Sequence, residues 1–257
     1  DNLRTSGSNS AIGHFDPASG QGEYVYYATN ADRTLVNGRG YLVSPDAAGT
    51  IDITGAMPQT TVLYSLEDGS GTYGNWNLIG NPYPSYVNMT DDSGDDTNNF
   101  LSVNTSVLDS EYQVVYAWDG SAWDIYNQST ETINHIAPGE GFFVYTVAGG
   151  GDVSFTENMQ TSGKGVNFND ANIAPGGKPL SNNRVSRFEL ELIDNDSNQT
   201  DITKFYFSDE DQVSKGLDPG YDAGQFFQGK NSRIFTRLVN DDKGTNFSIQ
   251  ALPYNDL

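Results

Sequence analysis

Two groups of side chains in this chain have types and spacings that could do chemistry. One is aromatic. Trp118 and Trp123 flank Asp119 and Gly120 in YQVVYAWDGSAWDIYN (residues 112–127), Tyr126 follows closely, and Tyr83 sits upstream in GNPYPS. Indole and phenol faces stack on the apolar faces of sugar rings, which makes these four the candidate glycan-binding residues. The other group is acidic. Asp91, Asp92, Asp95 and Asp96 crowd around Gly94 in TDDSGDDTNNF (residues 90–100), and Asp194, Asp196 and Asp201 lie in DNDSNQTD (residues 194–201). Carboxylates this close repel unless water or a cation relieves them, and calcium prefers such oxygen-rich flexible loops. A solvated surface loop competes with a calcium site in both places. The 194–201 run is not an EF-hand: no glycine stands at its sixth position, and Phe205 occupies the twelfth, where a bidentate acid is needed.

Other chemistries lack their residues. His14 and His135 are the two imidazoles, and no GxSxG, HExxH or Walker pattern accompanies them. With no cysteine there is no disulfide, zinc-thiolate site or thiol nucleophile. Nothing singles out a carboxylate pair for glycoside cleavage among the 34 acids. Catalysis within the chain is therefore not expected, and no cofactor beyond calcium is implied. The formal charge of −21 repels nucleic acid and anionic membranes. No run of about 18 apolar residues exists, so direct membrane insertion is not expected either.

These residues must be held by β structure. Short apolar runs separated by Gly, Asn, Asp and Ser every ten or so positions make the chain all-β. The organising stretch is GNWNLIGNPYPS (residues 74–85), where Trp76 and Leu78 share one face of a strand, Asn77 and Ile79 the other, and Pro82 and Pro84 stop the ladder. On either side lie two copies of one pattern, NGRGYLVSPDAAGTIDITGAMPQT (residues 37–60) and PGEGFFVYTVAGGGDVSFTENMQT (residues 138–161). Gly38 aligns with Gly139, Gly40 with Gly141, Tyr41 with Phe142, Val43 with Val144 and, after one inserted residue, Ile53 with Phe155 and Met57 with Met159. The expected fold is thus duplicated, sandwich-like antiparallel β units followed by a C-terminal β-sandwich-like unit.

The first unit covers residues 1–85, with strands over 23–29, 41–43, 50–54 and 61–66. The second, 86–165, is its duplicate and forms either a second domain or one domain with it. It opens on a hairpin that places Trp118 opposite Trp123, with Tyr116 and Ile125 on the same face. That aromatic face is either the packed side of the sheet or an exposed ligand surface. Short helices are expected over 97–103 and 221–227. Residues 166–186 lose all alternation and form a linker. The last unit, 187–257, pairs 188–193 with 202–207 and 233–238 with 247–252. Four short strands make a single layer, so an apolar face or edge is expected to stand uncovered there. Both chain ends read as cuts in a longer polypeptide.

As a set, WNLIGNPYPS, YAWDGSAWDIYN, IAPGEGFFV and LDPGYDAGQFF resemble the C-terminal β-rich region of large secreted or cell-surface proteins of Bacteroidota, the region just upstream of the type IX secretion sorting domain. The resemblance covers residues 36–252. Glu140 stands where that family usually has Gln, and the sorting domain is not expected within these 257 residues. The resemblance implies export across the outer membrane by the type IX machinery and an extracellular or cell-surface location. It implies no enzymatic activity, and neighbours that are adhesin repeats or polysaccharide-degrading modules. The expected function is a non-catalytic adhesin stalk or interaction module whose partner is a polysaccharide or another surface protein. The alternative is a glycan-binding module attached to a polysaccharide-degrading enzyme.

Overall fold

The computed structural model of the 257-residue chain describes residues 3–19, 23–48, 51–90, 98–118, 120, 123–128, 135–162, 168, 185–194, 199–209, 213–226 and 232–254. The fold is all-β. At its centre four strands pair in the order Trp76–Gly80, Gly141–Tyr145, Val115–Trp118 and Trp123–Tyr126. Period-two alternation gives this sheet two apolar faces, and both are buried.

On one face, Ile79, Phe142, Val144, Val115 and Ala117 pack with Leu66, Tyr83, Val87, Phe100, Val153, Phe155 and Met159. These come from two smaller sheets, a short helix, the turn at Tyr83 and the 3-10 turn Glu157–Met159. Val62–Leu66 pairs with Gly151–Phe155, while Tyr86–Asn88 lies between His135–Ile136 and Gln160–Thr161. The helix is Phe100–Val103, where the Asn99 side chain accepts from the Ser102 amide and caps a single turn. It falls inside the stretch expected to be helical.

On the opposite face, Trp76, Tyr116 and Phe143 meet Phe15 and Tyr24 from an N-terminal sheet and Tyr206, Ala223 and Ile249 from a C-terminal one. The N-terminal sheet has Asn9–Asp16 paired with Thr5–Ser6, Glu23–Ala28 and Leu42–Val43. The C-terminal sheet runs Val185–Asp194, Gln199–Ser208, Phe247–Pro253, Ala223–Gly224, and its middle pair is parallel. Trp76 is the hub of this core, with ring centroids 4.5 to 5.8 Å from Phe226, Tyr116, Tyr145 and Tyr112 in edge-to-face contacts.

Beyond Gly80 the chain turns around Asn81. Its amide nitrogen donates to the carbonyls of Ser85 (2.8 Å), Ile136 (3.0 Å) and Ala137 (3.1 Å), and its oxygen accepts from the Tyr83 amide (2.9 Å). A single side chain therefore closes the proline-rich turn and joins it to the segment leading into Gly141–Tyr145.

Several expectations need correction. Residues 51–54 form no strand; Ile53 is 75% exposed there. Residues 221–226 form no helix, because Ala223–Gly224 is an edge strand on Phe247–Pro253. Residues 233–238 do not hairpin with Phe247–Pro253 beyond the single bridge Thr236–Phe247, since that strand pairs in parallel with Gln199–Ser208 instead. In the expected linker 166–186, Val185 and Ser186 already belong to a strand and Phe168 is buried in the first core, while the remaining residues lie outside the described set. An uncovered apolar face does stand on Val185–Asp194, where Phe188 is 52% and Leu190 41% exposed, although Ile249 is buried by the central sheet.

Candidate functional site

The hairpin places Trp118 directly opposite Trp123, and Tyr116 opposite Ile125, as their alternation requires. The two indole centroids are 5.4 Å apart with planes inclined by 56°. Trp123 is half-buried because it leans inward on Phe226 (4.7 Å) and Phe143 (5.5 Å), whereas Trp118, at the hairpin tip, remains 44% exposed. Beside them Lys204 Nζ from the C-terminal sheet lies 3.4 Å from Asp124 Oδ1 on the hairpin. Chemically this is one stacking position, with a charged pair next to it.

The other two aromatic candidates are elsewhere. Tyr126 is three residues beyond Trp123 on the same strand, which turns it to the opposite face, where it is buried and stacks on Phe168 at 5.1 Å. Tyr83 is buried in the same core, and its hydroxyl donates to the carbonyls of Phe155 (2.6 Å) and Thr60 (3.0 Å). Trp118, Trp123, Tyr126 and Tyr83 therefore do not form one ligand surface.

Of the acidic candidates, Asp91, Asp92, Asp95 and Asp96 lie outside the described residues, as does Asp196. Asp194 ends the strand Val185–Asp194, its backbone opposite Gln199. Asp201 is buried in the next strand, and its Oδ2 accepts from Gln225 Nε2 (3.1 Å) and the Ile234 amide (2.9 Å). That role ties the 232–238 segment to the sheet. Among the described residues no cluster of three His, Asp or Glu side chains is arranged to hold a metal ion.

Sequence reasoning missed two polar centres. The first is in LDPGYDAGQFF (residues 217–227). Asp222 is fully buried, with Oδ2 accepting from the Asp218 amide (2.8 Å) and Oδ1 from the Ala251 amide (2.8 Å), so it pins the loop to Phe247–Pro253. Burial, with some help from the charge on Asp218, pushes its carboxyl up to about 7 against the pull of those two donors. Asp218 in turn accepts from the amide and hydroxyl of Ser214 (2.6 and 2.7 Å). The repeated Asp at a four-residue spacing was the available signal.

The second centre is Arg39, between Gly38 and Gly40. Arg39 Nε donates to Tyr64 Oη (3.1 Å), and the guanidinium carbon lies 5.8 Å from that ring's centroid. Tyr27 lies 6.5 Å from Tyr41 and 6.3 Å from His14, measured between ring centroids. Burial and the charge of Arg39 lower the pKa of His14, which favours the neutral imidazole. Nothing in local periodicity brings residues 14, 27, 39, 41 and 64 together.

Among the described residues no helix is long and apolar enough to cross a membrane. A family profile described as Domain of unknown function (DUF8693) matches residues 2–256, and the chain belongs to that family. No curated protein and no solved structure matches the chain.

Proposed function

We propose that this member of the DUF8693 family is a non-catalytic module of a secreted, cell-surface protein, exported by the type IX machinery and acting as an adhesin stalk or interaction module. One observation supports it best: the aromatic side chains are spent on joining sheets to one another. Tyr116 at the centre donates through its hydroxyl to the Gly224 carbonyl (2.8 Å) of the C-terminal sheet, and Phe15 packs on Phe143 at 5.0 Å from the N-terminal one. Such cross-sheet aromatic contacts suit a rigid spacer, and the acidic surface keeps it dispersed.

The test is the fate of the full-length protein in its own cells. Brief protease treatment of intact cells is expected to degrade this region, and blocking type IX secretion is expected to protect it. A region that stays protease-resistant in intact secreting cells, and is recovered with the cytoplasm, would overturn the reading.

The half-exposed Trp118 with Trp123 beside it favours a second reading, a glycan-binding module carried by a polysaccharide-degrading enzyme. It predicts that Trp118→Ala abolishes retention on an insoluble polysaccharide.

A further inference from the structure

We propose that Arg39, together with Tyr27, Tyr41, Tyr64 and His14, binds the carboxylate of an acidic sugar residue carried on an otherwise neutral glycan. The inference rests on the reading of the chain as an interaction module and names the ligand class that one of its surfaces takes.

Arg39 is the unusual member of this group. The chain has 34 acidic residues against 13 basic ones, yet among the described residues no carboxylate pairs with Arg39. Its one side-chain hydrogen bond to a described residue uses Nε, toward Tyr64, which orients the guanidinium and leaves both Nη groups as donors. A half-buried cation without a counter-ion is costly, and two Nη groups in a plane match the two oxygens of a carboxylate. His14 Nδ1 in the same cluster is shielded from solvent and has no partner either. Two neighbouring polar groups thus have unused bonding capacity.

The aromatic residues point to a sugar as the carrier of that carboxylate. Tyr27, Tyr41 and Tyr64 are all half-buried, so part of each side chain stays open to solvent, and each hydroxyl oxygen can accept from a sugar hydroxyl; Tyr27 already donates to the Thr34 carbonyl (3.4 Å), and Tyr64 carries Arg39 over its ring. The Tyr41 hydroxyl accepts from the Val36 amide (2.9 Å), which fixes its position. Charge limits the ligand. Asp16 and Glu67 also act on His14, and the chain carries −21, so a polyanion is repelled while one carboxylate at Arg39 is tolerated.

The experiment is a titration of the whole chain with sodium glucuronate, glucose and sodium acetate, followed by nuclear magnetic resonance. Saturable shifts at Arg39, Tyr27, Tyr41 and Tyr64 are expected with glucuronate, and none with glucose. Arg39→Gln, checked for an unchanged melting temperature, should weaken glucuronate binding at least about tenfold. Tyr41→Phe, which keeps the ring, should weaken it severalfold and supplies the test if Arg39→Gln does not fold. The proposal is overturned if glucuronate and glucose behave alike, if Arg39→Gln titrates like wild type, or if acetate binds as tightly as glucuronate. An exported protein that ignores glucuronate refutes this site alone. A chain that binds glucuronate but is never exported refutes the surface-module reading alone.

Discussion

Residues 37–60 and 138–161 begin alike and end differently. Gly38 and Gly139 both hold positive φ (82° and 76°), and the two corners they open grip opposite edges of the same strand, Trp76–Gly80. On one edge Gly40 N donates to Leu78 O and Gly80 N to Gly38 O, both at 3.0 Å; on the other Asn81 N donates to Glu140 O at 3.0 Å. From there the copies diverge. Gly141–Tyr145 continues along the central strand, whereas Leu42–Val43 departs to pair with Asn9–Asp16. Gly151–Phe155 then forms a strand that buries Val153 and Phe155, while the aligned Ile53 and Met57 are 75% and 68% exposed. A shared pattern of glycines and apolar parity thus specifies a corner, and the tertiary surroundings decide whether the residues beyond it find a sheet.

The largest expected effect separates the two tails. Phe155 is fully buried against Phe100, with ring centroids 5.2 Å apart, so Phe155→Ala should cost about 3–5 kcal/mol in urea unfolding. Ile53→Ala, at the aligned position, should change stability by no more than about 0.5 kcal/mol. Comparable losses at both positions would mean that the first tail is packed as the second one is.

Asn81 sharpens the comparison at the strand both copies share. Of its three acceptor carbonyls, two belong to Ile136 and Ala137, just before the second copy, and none belongs to residues 37–60. Asn81→Ala strands these groups in a buried turn, and a loss of roughly 2–4 kcal/mol is expected. Hydrogen exchange should then quicken at residues 136–141 and leave residues 38–43 as they were.

The glycines offer a test of opposite sign. A Cβ on Gly40 would stand 2.6 Å from the Ile79 carbonyl oxygen, a backbone atom that cannot step aside, so Gly40→Ala should cost about 1–3 kcal/mol. At Gly141 the nearest atom, the same Ile79 oxygen, lies at 3.5 Å, and φ is not in the left-handed region. Gly141→Ala is expected to be neutral or to stabilise by up to about 1 kcal/mol through the unfolded state. Equal losses at both positions would show that the corners are crowded alike.

Alternation was readable in the chain, and it set most of the central sheet: the faces of Trp76–Gly80, the register of Trp118 with Trp123, and the two buried sides follow from period two. The same rule turns Tyr126 away from Trp123, because three steps along a strand reverse the face, so grouping the two as one ligand surface overlooks a signal the sequence carries. What alternation cannot express is which sheet a strand joins. Phe247–Pro253 is apolar enough to hairpin with its predecessor, yet it lies parallel to Gln199–Ser208, where Ile249 is buried against Trp76, Tyr116 and Phe143. The Arg39 cluster was illegible for a related reason. Its five residues come from four separate segments, and a lone arginine between glycines has no periodicity to betray its neighbours.

The smallest expected effect concerns the residues between the paired glycines, Arg39 in one copy and Glu140 in the other. Arg39 is half-buried, with Nε donating to Tyr64 Oη. Glu140 is used internally: Oε2 accepts from the Ala137 amide (2.8 Å) and Oε1 from the Phe168 amide (2.6 Å). Burial nevertheless raises its carboxyl above the ordinary range, the two donors only partly opposing the shift. The folded state therefore holds this proton more tightly than the unfolded one. Stability from this group is greatest below the ordinary carboxylate pKa and declines as pH rises through the raised folded value. Glu140→Gln removes the ionisation but turns one amide donor toward a backbone N–H, so it should be slightly less stable than wild type in acid. The gap should narrow as pH rises to 7, where wild type pays for its charge. Unfolding curves at pH 4, 5.5 and 7 measure that gap; a gap that widens with pH would mean that the two backbone donors hold the carboxylate ionised and that desolvation is the lesser force at this corner.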